Sequence, residues 1–255
     1  MVANNHQTAS ADSQESIFRD VASFYDKLVF PSRSAHEEYQ TLLPRQPGER
    51  VGDFGCGQSL FHEALRNYSP PPTFLDISPN ALATIDCGVR ICADLRDLPI
   101  RDGVYTYVLC IGVVHHLPER NRVFSEIARV LAPNGELVLG VYAPGSFQTR
   151  LKRWHDTARI GLIRSFVQAT TAFLISARYA MRGTFLTPRA VHQRTTDFLK
   201  VPFVHYAQPE EYAAEAELEG LEFIDSQRIA SMNVLRFRRV QEGVKENTDA
   251  AARTS

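Results

Sequence analysis

The stretch Val51-Gly52-Asp53-Phe54-Gly55-Cys56-Gly57-Gln58-Ser59 decides the fold. Arg50 to Phe54 reads as a short strand, and Gly55 and Gly57 supply a turn whose backbone a ligand can approach closely. A dinucleotide fingerprint places a third glycine three positions after Gly57. Leu60 stands there, which disfavours a nicotinamide cofactor.

Outward from this loop, strand-like runs at 50–54, 73–76, 89–92, 105–114 and 136–142 alternate with helical runs at 60–66, 80–85 and 120–131. Upstream, Ile17, Val21, Phe24 and Leu28 share one helical face that ends before Pro31, and a short helix is expected over 34–43. Downstream, 209–218 reads as a helix stopped by Gly220, followed by strands over 221–229 and 231–239 that turn tightly at Ala230. Alternating strands and helices imply a mostly parallel α/β sheet, which binds ligands beyond the carboxyl ends of its strands where strand order reverses. The second strand ends Phe74-Leu75-Asp76, so a carboxylate stands 21 residues after Gly55 at the next strand tip, placed to accept hydrogen bonds from ribose hydroxyls. Ser78 and Pro79 follow it, so Asp76 could instead open a helix as its cap.

Between the fifth strand and helix 209–218, Leu151, Trp154, Ala158, Leu162, Phe166, Ala169, Phe173 and Ala177 recur every three to four residues and predict one or two long helices, an inserted cap. Residues 145–206 hold ten Lys or Arg against Asp156 and Asp197, a charge of +8 in a chain whose net charge is -1. The expected organisation is a tail at 1–14, a ligand-binding domain from 15–143 plus 207–240, a basic helical cap at 144–206 and a tail at 241–255.

The chain has 255 residues, 44% hydrophobic and 22% charged, which suits a folded protein and excludes collagen, coiled coil and wholesale disorder. No run approaches the roughly 18 apolar residues of a membrane span, and the first sixteen residues are polar, so a cytoplasmic location is expected. Cys56, Cys87, Cys92 and Cys110 lack CxxC spacing and read as reduced thiols.

From about Phe18 to Leu139 the chain resembles the class I S-adenosylmethionine-dependent methyltransferases, of the type 11 small-molecule group. The resemblance rests on the glycine loop, on Phe74-Leu75-Asp76-Ile77-Ser78, and on Cys92-Ala93-Asp94-Leu95-Arg96-Asp97-Leu98-Pro99. Cys110-Ile111-Gly112-Val113-Val114-His115-His116-Leu117 and Arg129-Val130-Leu131-Ala132-Pro133-Asn134-Gly135-Glu136-Leu137 complete it. It implies a Rossmann-like, seven-stranded, mostly parallel sheet with helices on both faces, an antiparallel C-terminal strand pair and a helical cap after the fifth strand. It further implies S-adenosylmethionine as cofactor: Asp53, Gly55, Cys56 and Gly57 around its methionine part, Asp76 and Ile77 at the ribose, Asp94 and Leu95 at the adenine, and Gly112 near the sulfonium. Two residues depart from the family pattern. Ser59 stands where many members have a third glycine, and Asn134-Gly135 replaces Gly-Gly in a turn that Asn tolerates.

Methyl transfer from a sulfonium needs alignment and a place for the acceptor's proton rather than a metal. His115 and His116 close the fourth strand at its ligand-facing end. Strand neighbours point to opposite faces, so one is expected to act as base, His115 ahead of His116, and the other to pack. Tyr25 is a further catalytic candidate, on a helix resembling the one that closes over the cofactor in this family, and His205 and Tyr206 are candidate substrate contacts. No metal is expected, because adjacent histidines lack ligand spacing and no cysteine pair accompanies them.

The expected activity is transfer of a methyl group to an oxygen, nitrogen or carbon nucleophile of a small, anionic or amphipathic acceptor, the basic cap building the acceptor site. The residues 111–117 and 120–131 also resemble those of enzymes that esterify carboxymethylated wobble uridines in tRNA, which makes nucleic acid an alternative partner, although the sequence pI of about 6.7 lacks a broad basic footprint. A peripheral membrane contact through the basic helices and a cofactor-binding protein without methyl transfer are the remaining alternatives. The oligomeric state is open.

Overall fold

A computed structural model describes residues 33–44, 48–145, 150, 161–181, 185, 187–189, 191, 192, 195, 205, 207–229 and 232–240. The strands are β1 (Val51–Phe54), β2 (Thr73–Asp76), β3 (Val89–Cys92), β4 (Tyr105–Ile111), β5 (Leu131–Tyr142), β6 (Leu221–Ile229) and β7 (Met232–Arg239). The helices are α1 (Arg33–Gln40), α2 (His62–Leu65), α3 (Pro79–Leu82), α4 (Arg120–Val130), α5 (Gly161–Ala180) and α6 (Pro209–Glu217). Together the strands make one sheet in the order β3-β2-β1-β4-β5-β7-β6. The first five are parallel to their neighbours, and β7 runs antiparallel to both β5 and β6. Strand order reverses between β1 and β4, so the crevice for a ligand lies beyond the ends of β1, β2 and β4.

Two apolar layers hold the helices against the sheet. On one side Val123, Phe124 and Ile127 of α4 and Tyr212 and Ala216 of α6 pack with Phe54, Val108 and Leu139. On the other, Tyr39 of α1, Leu65 of α2 and Leu82 of α3 pack with Val51, Phe74 and Leu109. A fully buried Phe or Leu removes enough surface from water to contribute about 1.5–3 kcal/mol, so these layers fix which way each strand's alternate residues face.

Element ends follow local chemistry. β4 was expected to reach residue 114 but stops at Ile111, because Gly112 adopts a φ of 86° and turns the chain; Val114–His116 then form a single turn of 3-10 helix. β5 starts five residues earlier than expected, because Leu131 already pairs with Tyr105 before the chain bulges out and rejoins at Tyr107 and Glu136. Within that bulge Asn134 takes a φ of 62°, the left-handed conformation anticipated for it. α3 begins at Ser78, whose hydroxyl accepts the Ala81 N–H at 3.2 Å, with Pro79 in the first turn.

Of the expected cap, α5 is described. It buries Val167 and Thr171, while Phe166 and Phe173 are 63% and 70% exposed. The periodic residues 166, 169 and 173 therefore line the helix's outer side rather than a core. The expected tails, the expected helix through Ile17 and Leu28, and Tyr25 and Tyr206 lie outside the described residues.

Candidate active site

The glycine loop hangs from β2. The Gly55 and Cys56 N–H groups both donate to the Leu75 carbonyl, at 2.6 and 3.0 Å. Gly55 has a φ of 66°, and a Cβ there would collide with the Val113 methyl groups, so this position admits only glycine. Gly57 has a φ of 54°, and no heavy atom lies within 4 Å of where its Cβ would stand. The loop is thus packed from below at Gly55 and open above at Gly57. Asp76 closes its far side, its Oδ2 accepting the Gly57 N–H at 2.7 Å and its Oδ1 the Ser78 N–H at 2.9 Å. Because Ser78 itself caps α3, the Asp76 carboxylate is a bridge between two loops, with lone pairs to spare for a further donor. Burial pushes its pKa up, against the pull of the Gly57, Ser78 and Ile77 amides.

Asp53 sits beneath the loop, 3% exposed. Burial drives its pKa up to about 7, and the neighbouring Asp76 adds to the rise while the Ser59 hydroxyl opposes it. Ser59 donates to Asp53 Oδ2 at 2.6 Å and accepts the Phe61 N–H at 3.0 Å. Its φ of 55° keeps the backbone in the conformation that a glycine would adopt there. The departure at Ser59 thus adds a hydroxyl that anchors a buried carboxyl, a role the sequence reading missed and which the non-glycine residue in a glycine position could have signalled. The Cys56 thiol is raised by burial, with Asp53 and Asp76 adding to the effect.

The end of β3 continues the row. Cys92 pairs with Asp76 across the sheet, and the Ala93 N–H donates to the Asp76 carbonyl at 3.1 Å. Asp94 follows, gripped by Arg96. The Arg96 N–H and Nε reach Asp94 Oδ1 at 2.8 and 3.0 Å, and Nε and Nη2 reach Oδ2 at 3.1 and 2.5 Å. Burial alone would raise the Asp94 pKa, and the Arg96 donors outweigh it, so the net direction is down. Leu95 is 5% exposed, with its side chain in the core that also holds Phe54 and Leu98. Ile77 is half-buried between the Asp76 and Ser78 positions.

At the end of β4, Gly112 donates to the Gly140 carbonyl at 2.8 Å. His115 is fully buried, and among the described residues neither of its ring nitrogens has a hydrogen-bond partner. Its pKa lies well below the ordinary value through burial, with His116 and His205 adding to the effect, so the ring is neutral. The His115 and His116 rings lie 4.1 Å apart, and His115 lies 4.3 Å from Tyr142 of β5. The expectation that the two histidines diverge is corrected: they occupy a turn, where strand alternation does not apply, and their rings meet.

His205, near the end of the basic stretch of sequence, meets this turn. The His205 N–H donates to the His115 carbonyl at 2.7 Å, and the fully buried Tyr212 donates its hydroxyl to the His205 carbonyl at 2.8 Å. Arg120 pairs with Glu215 through two hydrogen bonds of 2.7 and 2.6 Å and stands 5.7 Å from the Tyr212 ring centre. The His205 backbone is therefore held against the His115 carbonyl. Tyr142, Tyr212, Arg120 and Glu215 were not singled out, because they come together only through the β5 end and the α4–α6 contact. Among the described residues no group of three or more His, Cys, Asp or Glu is arranged to hold a metal ion. Among them, too, no helix is long and apolar enough to cross a membrane.

A doubly wound sheet with an antiparallel final pair, a glycine loop after β1 and acidic residues ending β2 and following β3 match the Rossmann-like fold of class I S-adenosylmethionine-dependent methyltransferases. Comparison with known proteins agrees. Residues 52–139 match the type 11 family model described as a methyltransferase domain. Over 138 residues it is 33% identical to the probable tRNA methyltransferase 9B of Mus musculus, a match covering 50% of this chain and 29% of that one. The chain thus spans about a third of the length of that relative. It is 27% identical over 197 residues to the ubiquinone biosynthesis O-methyltransferase of Bordetella avium, covering 73% of this chain and 67% of the other. Its fold is like that of Burkholderia thailandensis 1,6-didemethyltoxoflavin-N1-methyltransferase, solved with 1,6-didemethyltoxoflavin and S-adenosylhomocysteine. The TM-score is 0.59 at 15% identity over 93% of each chain.

Proposed function

We propose that this chain transfers a methyl group from S-adenosylmethionine to a hydroxyl, amine or acidic carbon of a small-molecule acceptor, with His115 receiving the acceptor's proton. The observation that carries the reading is His115 itself: a buried, neutral imidazole with no described hydrogen-bond partner, at the end of the strand beside the glycine loop. An orphaned buried polar group is rare and points to a partner that arrives with a ligand.

When bound, the cofactor supplies a methyl group already activated on a sulfonium. The residues present suit it. Open space over Gly57 admits the methionine tail, and Asp53 beneath the loop attracts its ammonium group. Asp76 offers lone pairs to both ribose hydroxyls, and Asp94 stands two residues past the end of the neighbouring strand β3, where the base follows the sugar. Gly112 leaves its β4 end free of a side chain next to the reacting centre. His115 accepts a proton from the acceptor, while Tyr142 and His116 wall the turn and keep water away. The basic segment 144–206, with His205 and Tyr206 at its end, completes the acceptor site, and its charge favours an anionic or amphipathic molecule.

The similarity to the O-methyltransferase of Bordetella avium, which extends over most of both chains, supports a small acceptor. A second reading, methylation of a modified tRNA base, is favoured by the similarity to the murine tRNA methyltransferase 9B and by the +8 segment. Incubation with S-adenosylmethionine labelled at the methyl group, against a metabolite extract and against bulk tRNA, separates the two. Label in small acidic or amphipathic molecules is the expected result. Label in tRNA alone supports the second reading, and no label in either contradicts methyl transfer.

A further inference from the structure

We propose that Arg96 makes the base site selective for a 6-aminopurine by holding Asp94 as a fixed hydrogen-bond acceptor. The inference rests on the cofactor reading above, and concerns how this chain reads the base. Along the ends of β1, β2 and β3 stand the glycine loop, Asp76 and, just past β3, Asp94, in the order in which tail, sugar and base follow one another in an adenosyl ligand.

Arg96 does more than pair with a neighbouring charge. Its backbone N–H, Nε and Nη2 together place hydrogens on both Asp94 oxygens. A carboxylate has about four lone-pair sites and no proton to give, and three N–H groups occupy them, the Nε hydrogen being shared between the two oxygens, so this grip leaves Asp94 able only to accept, with room for one further donor. A protonated Asp94 would set its own hydrogen against those of Arg96. Arg96 is itself steadied: its side chain is 14% exposed and its Nη1 reaches Glu119 at 3.2 Å. The guanidinium therefore fixes both the charge and the orientation of the acceptor before a ligand arrives, which is the preorganisation that gives specificity rather than bulk affinity.

A 6-amino group meets this carboxylate with a donor. A 6-oxo group meets it with a second acceptor, losing the bond and leaving two lone pairs facing each other. Arg96 is a positioning residue in this scheme, since it acts on the base through Asp94.

The test is calorimetric titration with S-adenosylhomocysteine and with S-inosylhomocysteine, in which a 6-oxo group replaces the 6-amino group and N1 gains a hydrogen, the rest of the molecule being unchanged. The wild type is expected to bind the adenine compound at least about tenfold more tightly, the difference that a charge-assisted hydrogen bond supplies. Arg96→Ala is expected to lose most of that ratio, and Arg96→Lys, which keeps the charge without the paired donors, to fall between. Asp76→Ala serves as the contrast: it weakens both compounds by similar factors, the ribose being common to them, and preserves the ratio. Should Arg96→Ala not fold, the wild-type ratio and the Lys variant still decide. Equal binding of the two compounds by the wild type, or an unchanged ratio in the Arg96 variants, overturns the inference while leaving the cofactor reading intact. Failure of the wild type to bind either compound overturns both.

Discussion

Asp53 and His115 are both buried and both titrate, and they make stability depend on pH in opposite directions. Asp53 has a folded pKa of about 7 against an unfolded value near 3.8, so between those values the folded state holds more protons and stability falls as pH rises. His115 has a folded pKa below its unfolded value near 6.5, so below 6.5 the unfolded state holds more protons and stability falls as pH drops. Below pH 6.5, where the unfolded imidazole takes up its proton, the two trends oppose one another in the wild type, each with a slope of up to about 1.4 kcal/mol per pH unit. Urea unfolding across that range should show Asp53→Asn gaining stability with pH more steeply than the wild type, and His115→Phe less steeply. Parallel curves for all three proteins would show that neither group titrates as its burial implies. His115→Phe, which keeps a ring and loses the proton acceptor, should also lower kcat by about 10²–10⁴ without weakening S-adenosylhomocysteine, as read in the methyl-transfer assay and by calorimetry. At this scale the sequence was informative where a residue type is required by backbone shape or by chemistry at a strand end, as at Gly55, Asp76 and His115. It marked Ser59 only as a departure from glycine and gave Arg96 no role, because the importance of each lies in a particular partner, the Asp53 and Asp94 carboxylates, that spacing alone does not reveal.

Strand and helix existence was legible from hydrophobic periodicity, and element ends much less so. β2 and β3 have the expected bounds, whereas β4 stops short at Gly112 because a positive φ, not hydrophobicity, ends it. The two-histidine turn shows the consequence, since reading it as strand assigns the rings to opposite faces. The contact between α4 and α6 was beyond the sequence for a different reason: Arg120 and Glu215 lie 95 residues apart, and no local pattern couples them. That contact holds the returning chain on the His115 turn through the Tyr212 hydroxyl. Tyr212→Phe deletes this donor and leaves the His205 carbonyl without it, so a loss of about 1–3 kcal/mol is expected in denaturant unfolding. Unchanged stability would mean that the hydroxyl contributes nothing to docking the segment.

On the scale of the whole molecule, the order β3-β2-β1-β4-β5-β7-β6 gathers residues distant in sequence at one edge of the sheet. Alternating elements were enough to anticipate a mostly parallel sheet, because a parallel connection needs a crossover helix, and the antiparallel final pair follows from the two residues of sequence that separate its strands, too few for a crossover. Charge also segregates at this scale, with +8 in residues 145–206 of a chain of net charge -1. The central claim is that the glycine loop and the acidic residues beside it form one S-adenosylmethionine site, and calorimetric titration of the wild type and Asp76→Ala with S-adenosylhomocysteine tests it most directly. The account predicts saturable one-site binding that Asp76→Ala weakens by about tenfold or more, corresponding to about 1.4 kcal/mol. Absence of binding by the folded wild type, or equal binding by the variant, would contradict it.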